Sequence, residues 1–133
     1  MTLAQLEEIL PNGFHDAELL GVDLDERSGL AILRMRLLTS RPPEGLDEEL
    51  IEYRLAALSL SGLLIFTAPE QLLQSSWSKL DVQGFVPSEQ QWPQIASLDE
   101  ESKHLAYSFF VHDWNASIHT VASQATLSWL KDK

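Results

Sequence analysis

Two His-Asp dipeptides are the residues whose chemistry is easiest to name in this sequence. His15 and Asp16 lie between a predicted helix and the first predicted strand, and His112 and Asp113 lie at the turn between the last two predicted strands. Imidazole and carboxylate groups are good ligands for zinc, manganese or iron, and they also act as general acids and bases. If the fold brings the two pairs together, they supply four ligands for a divalent metal.

A structural role is the competing interpretation of both pairs. An Asp beside a turn commonly caps exposed amide groups, and a His at a strand end commonly donates one ring hydrogen bond and packs. The sequence has no H-x-H or H-x-x-x-H pattern that would strengthen the metal interpretation. It also has no cysteine, no G-x-S-x-G nucleophile elbow and no glycine-rich phosphate loop. We therefore expect no cofactor, with a divalent metal as the alternative.

A second group of residues is a candidate protein interface. Trp114 and Asn115 lie in a predicted polar turn, and tryptophan is enriched among the residues that dominate binding energy at interfaces. Asp99, Glu100 and Glu101 form an acidic run in a predicted loop. The alternatives are that Trp114 covers the end of the sheet as part of the core, and that the acidic run is a solvated loop.

The net charge of −11, from nine basic and twenty acidic residues, limits the partners of this chain. Such a surface repels phosphate, so neither nucleic acid nor an anionic membrane is an expected partner. It would attract a basic protein, although solubility alone could also explain the charge. There is no apolar stretch of about 18 residues, and the amino-terminal residues lack the pattern of a signal peptide. Together with the lack of cysteine, these features lead us to expect a cytoplasmic protein.

The spacing of apolar residues predicts the elements that must position these side chains. Thr2 and Gln5 form a capping-box pattern, and apolar residues at helical spacing predict a short helix over residues 3–10. Residues 39–45 and 88–102 are predicted loops, the second with room for a helical turn. Trp129, in the last predicted strand, is expected in the core. Alternating patterns predict strands at 20–24, 30–38, 51–66, 79–86, 104–112 and 117–130, with a bulge or a sharp bend at Ser61-Gly62.

The order of these elements predicts a single α+β domain of 133 residues. A short amino-terminal helix is followed by neighbouring strands, which favours a mostly antiparallel sheet. That many strands could curve or curl into a partial barrel. An open edge of such a sheet could also support a homo-oligomer.

Two short segments resemble a group of known proteins. Gly13-Phe14-His15-Asp16-Ala17-Glu18-Leu19 follows the short helix, and Phe109-Phe110-Val111-His112-Asp113-Trp114-Asn115-Ala116 lies near the end of the sequence. Together they resemble small uncharacterised bacterial proteins with an early Phe-His-Asp-Ala segment, and some similar families are immunity proteins of polymorphic toxin systems. The resemblance implies a bacterial cytosolic protein, without catalytic residues to transfer. We expect a non-catalytic protein-binding module such as a toxin-neutralising immunity protein. The alternative is a metal-binding module or metal-dependent hydrolase that uses the two His-Asp pairs.

Overall fold

Six antiparallel strands form a closed barrel in a computed structural model of the chain. The structure describes residues 1–40, 52–74 and 76–131. Around the barrel the strands follow the order β1, β2, β3, β6, β5, β4 and back to β1. Their bounds are Ala17–Asp25 (β1), Leu30–Ser40 (β2), Glu52–Thr67 (β3), Leu80–Phe85 (β4), Ala106–Val111 (β5) and Ala116–Trp129 (β6). The prediction of a mostly antiparallel sheet with a short helix is confirmed, and its curvature is completed into a barrel.

Closure of the barrel gives each described strand a neighbour on both sides. The open sheet edge on which the oligomer hypothesis depended is therefore not found among the described strands. Oligomerisation itself stays a prediction. Of the predicted loop at 39–45, Thr39 and Ser40 belong to β2, and the remainder lies outside the described residues.

Short helical segments lie between the strands. Helix α1 spans Leu3–Ile9, and its capping box is confirmed by hydrogen bonds from the Thr2 amide to the Gln5 side chain (2.8 Å) and from the Gln5 amide to the Thr2 hydroxyl (3.2 Å). Helices α2 (Glu70–Gln74) and α3 (Glu100–Lys103) and two single 3-10 turns, Pro93–Ser97 and His112–Trp114, complete the described helical elements. No helix within the described ranges is long and apolar enough to cross a membrane.

Three strands each carry one extra residue that shifts the pairing register. The extra residues are Leu20 in β1, Thr39 in β2 and Leu64 in β3. The register of β3 shifts at Leu64 and not at Ser61-Gly62, where Gly62 instead takes a left-handed backbone with φ of 59°. Each bulge bends its strand and increases the local twist, which a small barrel needs in order to close.

The barrel interior contains an aromatic cluster beneath α1. Phe14, Tyr107 and Phe109 are fully or almost fully buried, and their rings meet edge to face with centroids 5.3–5.9 Å apart. Tyr107 reaches the end of the barrel, where its hydroxyl donates a 2.6 Å hydrogen bond to the carboxylate of Glu7 in α1. This bond joins residues 100 positions apart and fastens α1 across the barrel end.

Gly84 in β4 makes room for this arrangement. A Cβ atom at this position would lie 2.3 Å from the Tyr107 hydroxyl oxygen and 2.8 Å from Cβ of Phe14. Both separations are shorter than non-bonded contacts allow, so any larger residue would displace the aromatic cluster.

We expect Gly84→Ala to lower the free energy of unfolding by about 2 kcal/mol, the typical cost of overpacking a core. Gly21→Ala is the matched control. Its Cβ would meet the end of the flexible Arg34 side chain at 3.2 Å, so a change within about 0.5 kcal/mol is expected. Urea unfolding of both variants measures the difference. Equal stabilities would contradict the tight packing of Tyr107 against Gly84.

Because Tyr107 is buried, we expect the protein to lose stability at alkaline pH. Burial, followed by the hydrogen bond to Glu7, raises the pKa of Tyr107 well above its ordinary value. The unfolded chain therefore ionises this phenol near pH 10 while the folded chain holds it neutral, so stability is complete below about pH 10 and falls as the pH rises. Unfolding free energies measured between pH 8 and 11.5 should decline more steeply for the wild type than for Tyr107→Phe. Parallel profiles would contradict this assignment.

Candidate functional site

The fold brings the two His-Asp dipeptides to the same part of the barrel wall. Ala17 of β1, Val82 of β4 and Val111 of β5 lie side by side in one row across three strands. Asp16 directly precedes this row and His112 directly follows it. These two side chains line one shallow cavity of about 310 Å³, together with Tyr53, Asp81 and Val82.

The first dipeptide is held by contacts of its own. The imidazole of His15 lies 3.3 Å from the carboxylate of Asp16 through Nε2, and its Nδ1 lies 3.0 Å from Oε1 of Gln83. Asp16 has a left-handed backbone with φ of 54°. These contacts favour the structural interpretation, in which the pair fixes the turn that leads into β1.

Both residues of the second dipeptide also make contacts within the protein. The carboxylate of Asp113 accepts a 2.9 Å hydrogen bond from the backbone amide of Asp81, and the His112 ring packs edge to face on Phe110. Among residues 1–40, 52–74 and 76–131, no three His, Cys, Asp or Glu side chains are placed to hold a metal ion together. The dipeptides are therefore neighbours along the wall without forming a ligand cluster in this part of the chain.

Trp114 is a half-buried residue that packs on the barrel. Its ring meets that of Trp77 edge to face at 6.4 Å, and the Trp77 indole donates a 2.9 Å hydrogen bond to the carbonyl of Leu72. Both tryptophans contact the main core. Asn115 is exposed and takes a left-handed backbone conformation directly after the 3-10 turn, a position for which Asn is well suited. These positions agree with the alternative in which Trp114 covers one end of the sheet.

The acidic run begins a helix at the opposite end of β5. Asp99 caps α3 by accepting a 2.7 Å hydrogen bond from the Ser102 amide, and this bond lowers the pKa of Asp99. Glu100 lies 3.5 Å from the ammonium of Lys103, and Glu101 is exposed. The six residues of β5 separate this helix from Trp114 by about 20 Å at the usual rise of a strand. The two halves of the predicted partner surface are therefore separate patches.

An open groove lies beside α1. It has a volume of about 830 Å³, and it runs between α1 and the facing ends of β3 and β6. Eight of its thirteen lining residues are apolar, and the other five are Thr39, Glu52, Arg54, Gln124 and Thr126. Three of its large apolar side chains are exposed: Ile9 (65%), Met1 (49%) and Trp129 (38%). The expectation that Trp129 belongs to the core is wrong, since this side chain lines the groove and is 38% exposed.

The guanidinium of Arg54 lies over the indole of Trp129. The distance from its central carbon to the ring centroid is 4.4 Å, which is a cation–π geometry. Arg54 and Trp129 sit on adjacent strands, since Trp129 pairs with Ala56 of β3. The contact fixes a positive charge in the wall of the groove.

A smaller cavity of about 530 Å³ lies beside His119. The His119 ring stacks parallel on that of Trp92 at 4.6 Å, and its Nδ1 lies 2.6 Å from the Ser108 hydroxyl. Burial lowers the pKa of His119, so the ring is neutral at pH 7. Ser108 is completely buried, so this Ser-His pair has no access to a substrate.

Sequence reasoning did not identify the residues of the groove. Ile9 reads as one of the apolar positions of an amphipathic helix, and Arg54 reads as the polar alternate of a strand. The nearest available signal was the number of tryptophans, four in 133 residues. Which of them would be exposed depends on how α1 meets β3 and β6.

We expect no metal-dependent stabilisation of the EDTA-stripped protein by Zn²⁺, Mn²⁺, Ni²⁺ or Mg²⁺. The physical reason is that His15, Asp16 and Asp113 are held by contacts within the protein and form no ligand cluster in the described ranges. A thermal-shift series measures this. A rise of roughly 8–14 °C at 100 times the dissociation constant, lost in His15→Ala/His112→Ala, would contradict it and restore the metal interpretation.

No family model, no curated protein and no solved structure matches this chain.

Proposed function

We propose that this protein is a non-catalytic module that binds a partner protein of net positive charge through the groove beside α1. The observation that carries the proposal is the exposure of Met1, Ile9 and Trp129 around one apolar groove. Contiguous exposed apolar surface bounded by polar residues is typical of protein interaction sites. Its tryptophan is of the residue type that most often dominates the binding energy of an interface.

The charge of the surface supports a basic partner. Thirteen acidic side chains are exposed among the described residues, against five basic ones. Among these thirteen, Glu100 pairs with Lys103, Asp16 lies beside the His15 imidazole, and Asp81 and Asp113 interact with the ammonium of Lys79. The excess of acids would speed the approach of a cationic protein, and the groove would then hold it.

Neutralisation of a basic toxin is the most specific form of this proposal. Its basis is the resemblance of the Gly13–Leu19 and Phe109–Ala116 segments to small uncharacterised bacterial proteins, since some similar families are immunity proteins. An immunity protein needs a binding surface and no catalytic group of its own. Two observations agree with that requirement: Ser108 is buried, and His15 and Asp16 contact each other.

The test is a library of short random peptides displayed on phage and selected against the intact protein. We expect the selected peptides to combine apolar residues with a net positive charge and to bind more weakly as salt is raised, because salt screens exposed charges. Ile9→Glu should weaken their binding by about tenfold or more, since it places a charge in the apolar contact. Fluorescence anisotropy of labelled peptides measures the affinities.

Leu73→Glu is the matched control for this experiment. Leu73 in α2 is as exposed as Ile9, at 65%, and it lies outside the groove. Its replacement introduces the same charge and should leave the affinities unchanged. Peptides that bind Ile9→Glu as tightly as the wild type would remove the groove as the binding surface.

A further inference from the structure

Arg54 places a positive charge in the wall of the groove. Its guanidinium rests on Trp129, and it has no carboxylate partner in the part of the chain that the structure describes. Glu52 lines the same groove but does not pair with it. In the free protein this arrangement is tolerated because the exposed guanidinium is hydrated.

A bound partner that covers the groove removes the hydrating water from Arg54. A charge that loses its water without gaining a counterion weakens binding strongly. The Trp129 ring recovers only part of the lost hydration. A partner segment that fills the groove tightly therefore has to bring an acceptor to Arg54, and a carboxylate matches the guanidinium best because it can accept two parallel hydrogen bonds.

We infer that the groove selects a protein segment in which one carboxylate is set among apolar side chains, and that Arg54 is the residue that recognises it. This inference rests on the proposed protein-binding function. It is compatible with a partner of net positive charge, because the long-range attraction depends on the whole acidic surface whereas Arg54 acts only at contact. It names a specificity that net charge alone would not predict, an acidic residue inside the binding segment of a basic protein.

The experiment repeats the peptide selection on variants in which the charge of one arginine is reversed. Wild type, Arg54→Glu and Arg27→Glu are each exposed to the same library. Arg27 is the control, since it is an exposed arginine in the turn between β1 and β2, away from the groove, and its replacement changes the charge equally. Peptides selected on the wild type and on Arg27→Glu should carry Asp or Glu at one position among apolar residues. Peptides selected on Arg54→Glu should carry Lys or Arg at that position instead.

The strength of the contact is measured with one wild-type peptide. Replacing its acidic residue by the corresponding amide should weaken binding to the wild type roughly 30-fold, as for other desolvated charge pairs at interfaces. On Arg54→Ala the same replacement should have little effect, because the partner charge is gone. Equal losses on both proteins would overturn the role of Arg54.

The remaining outcomes separate this inference from the proposed function. Peptides that need Ile9 but show no acidic preference would overturn the role of Arg54 and leave the protein-binding function standing. Failure to select any peptide that depends on Ile9 would overturn both. If dodecanoate binds in an Arg54-dependent way and no peptide competes with it, the occupant is a small lipid and not a protein segment.

Discussion

The hydrogen bond between Tyr107 and Glu7 is the contact on which the candidate site depends. It ties α1 to the barrel end, and α1 is one wall of the groove. A helix of seven residues has little stability of its own, so its position must come from tertiary contacts. Tyr107 supplies one such contact from inside the barrel, and a second is the 2.6 Å hydrogen bond from the Ala125 amide in β6 to the carbonyl of Met1. The groove is therefore built by the contacts that hold α1 and the residues before it against the barrel.

Much of the local structure could be predicted, because it depends on residues close together in sequence. The capping box of Thr2 and Gln5 is an example, since both partners lie within one turn of helix. The first hairpin is another, because Arg36 of β2 lies opposite Glu18 of β1 and pairs with it at 3.4 Å. In such cases the spacing of polar and apolar residues decides which side chains meet.

The rest could not be predicted, because it depends on register and on contacts between distant elements. A bulge reverses the faces of all later residues in a strand, and nothing in the residue types of Leu20 or Leu64 marks them as the extra residue. Helix α2 (Glu70–Gln74) lies between two predicted strands, in a stretch where the apolar pattern indicated no element. The His-Asp dipeptides and Trp114 were chosen for their chemistry, but whether they meet a ligand or each other is decided by β4 and β5. The groove joins α1 to strands that begin more than forty residues later.

The strand order also determines when the barrel can form. Strand β6 inserts between β3 and β5, so both of those strands lack a neighbour until β6, the last strand along the sequence, has been ordered. During synthesis or refolding, β3 would present a long unpaired edge, which is a hazard for aggregation. A topology dominated by such distant pairings folds slowly, since loop closure must precede the contacts that reward it. The excess of negative charge has a second effect, because repulsion between chains keeps partly folded molecules apart while β3 is still unpaired.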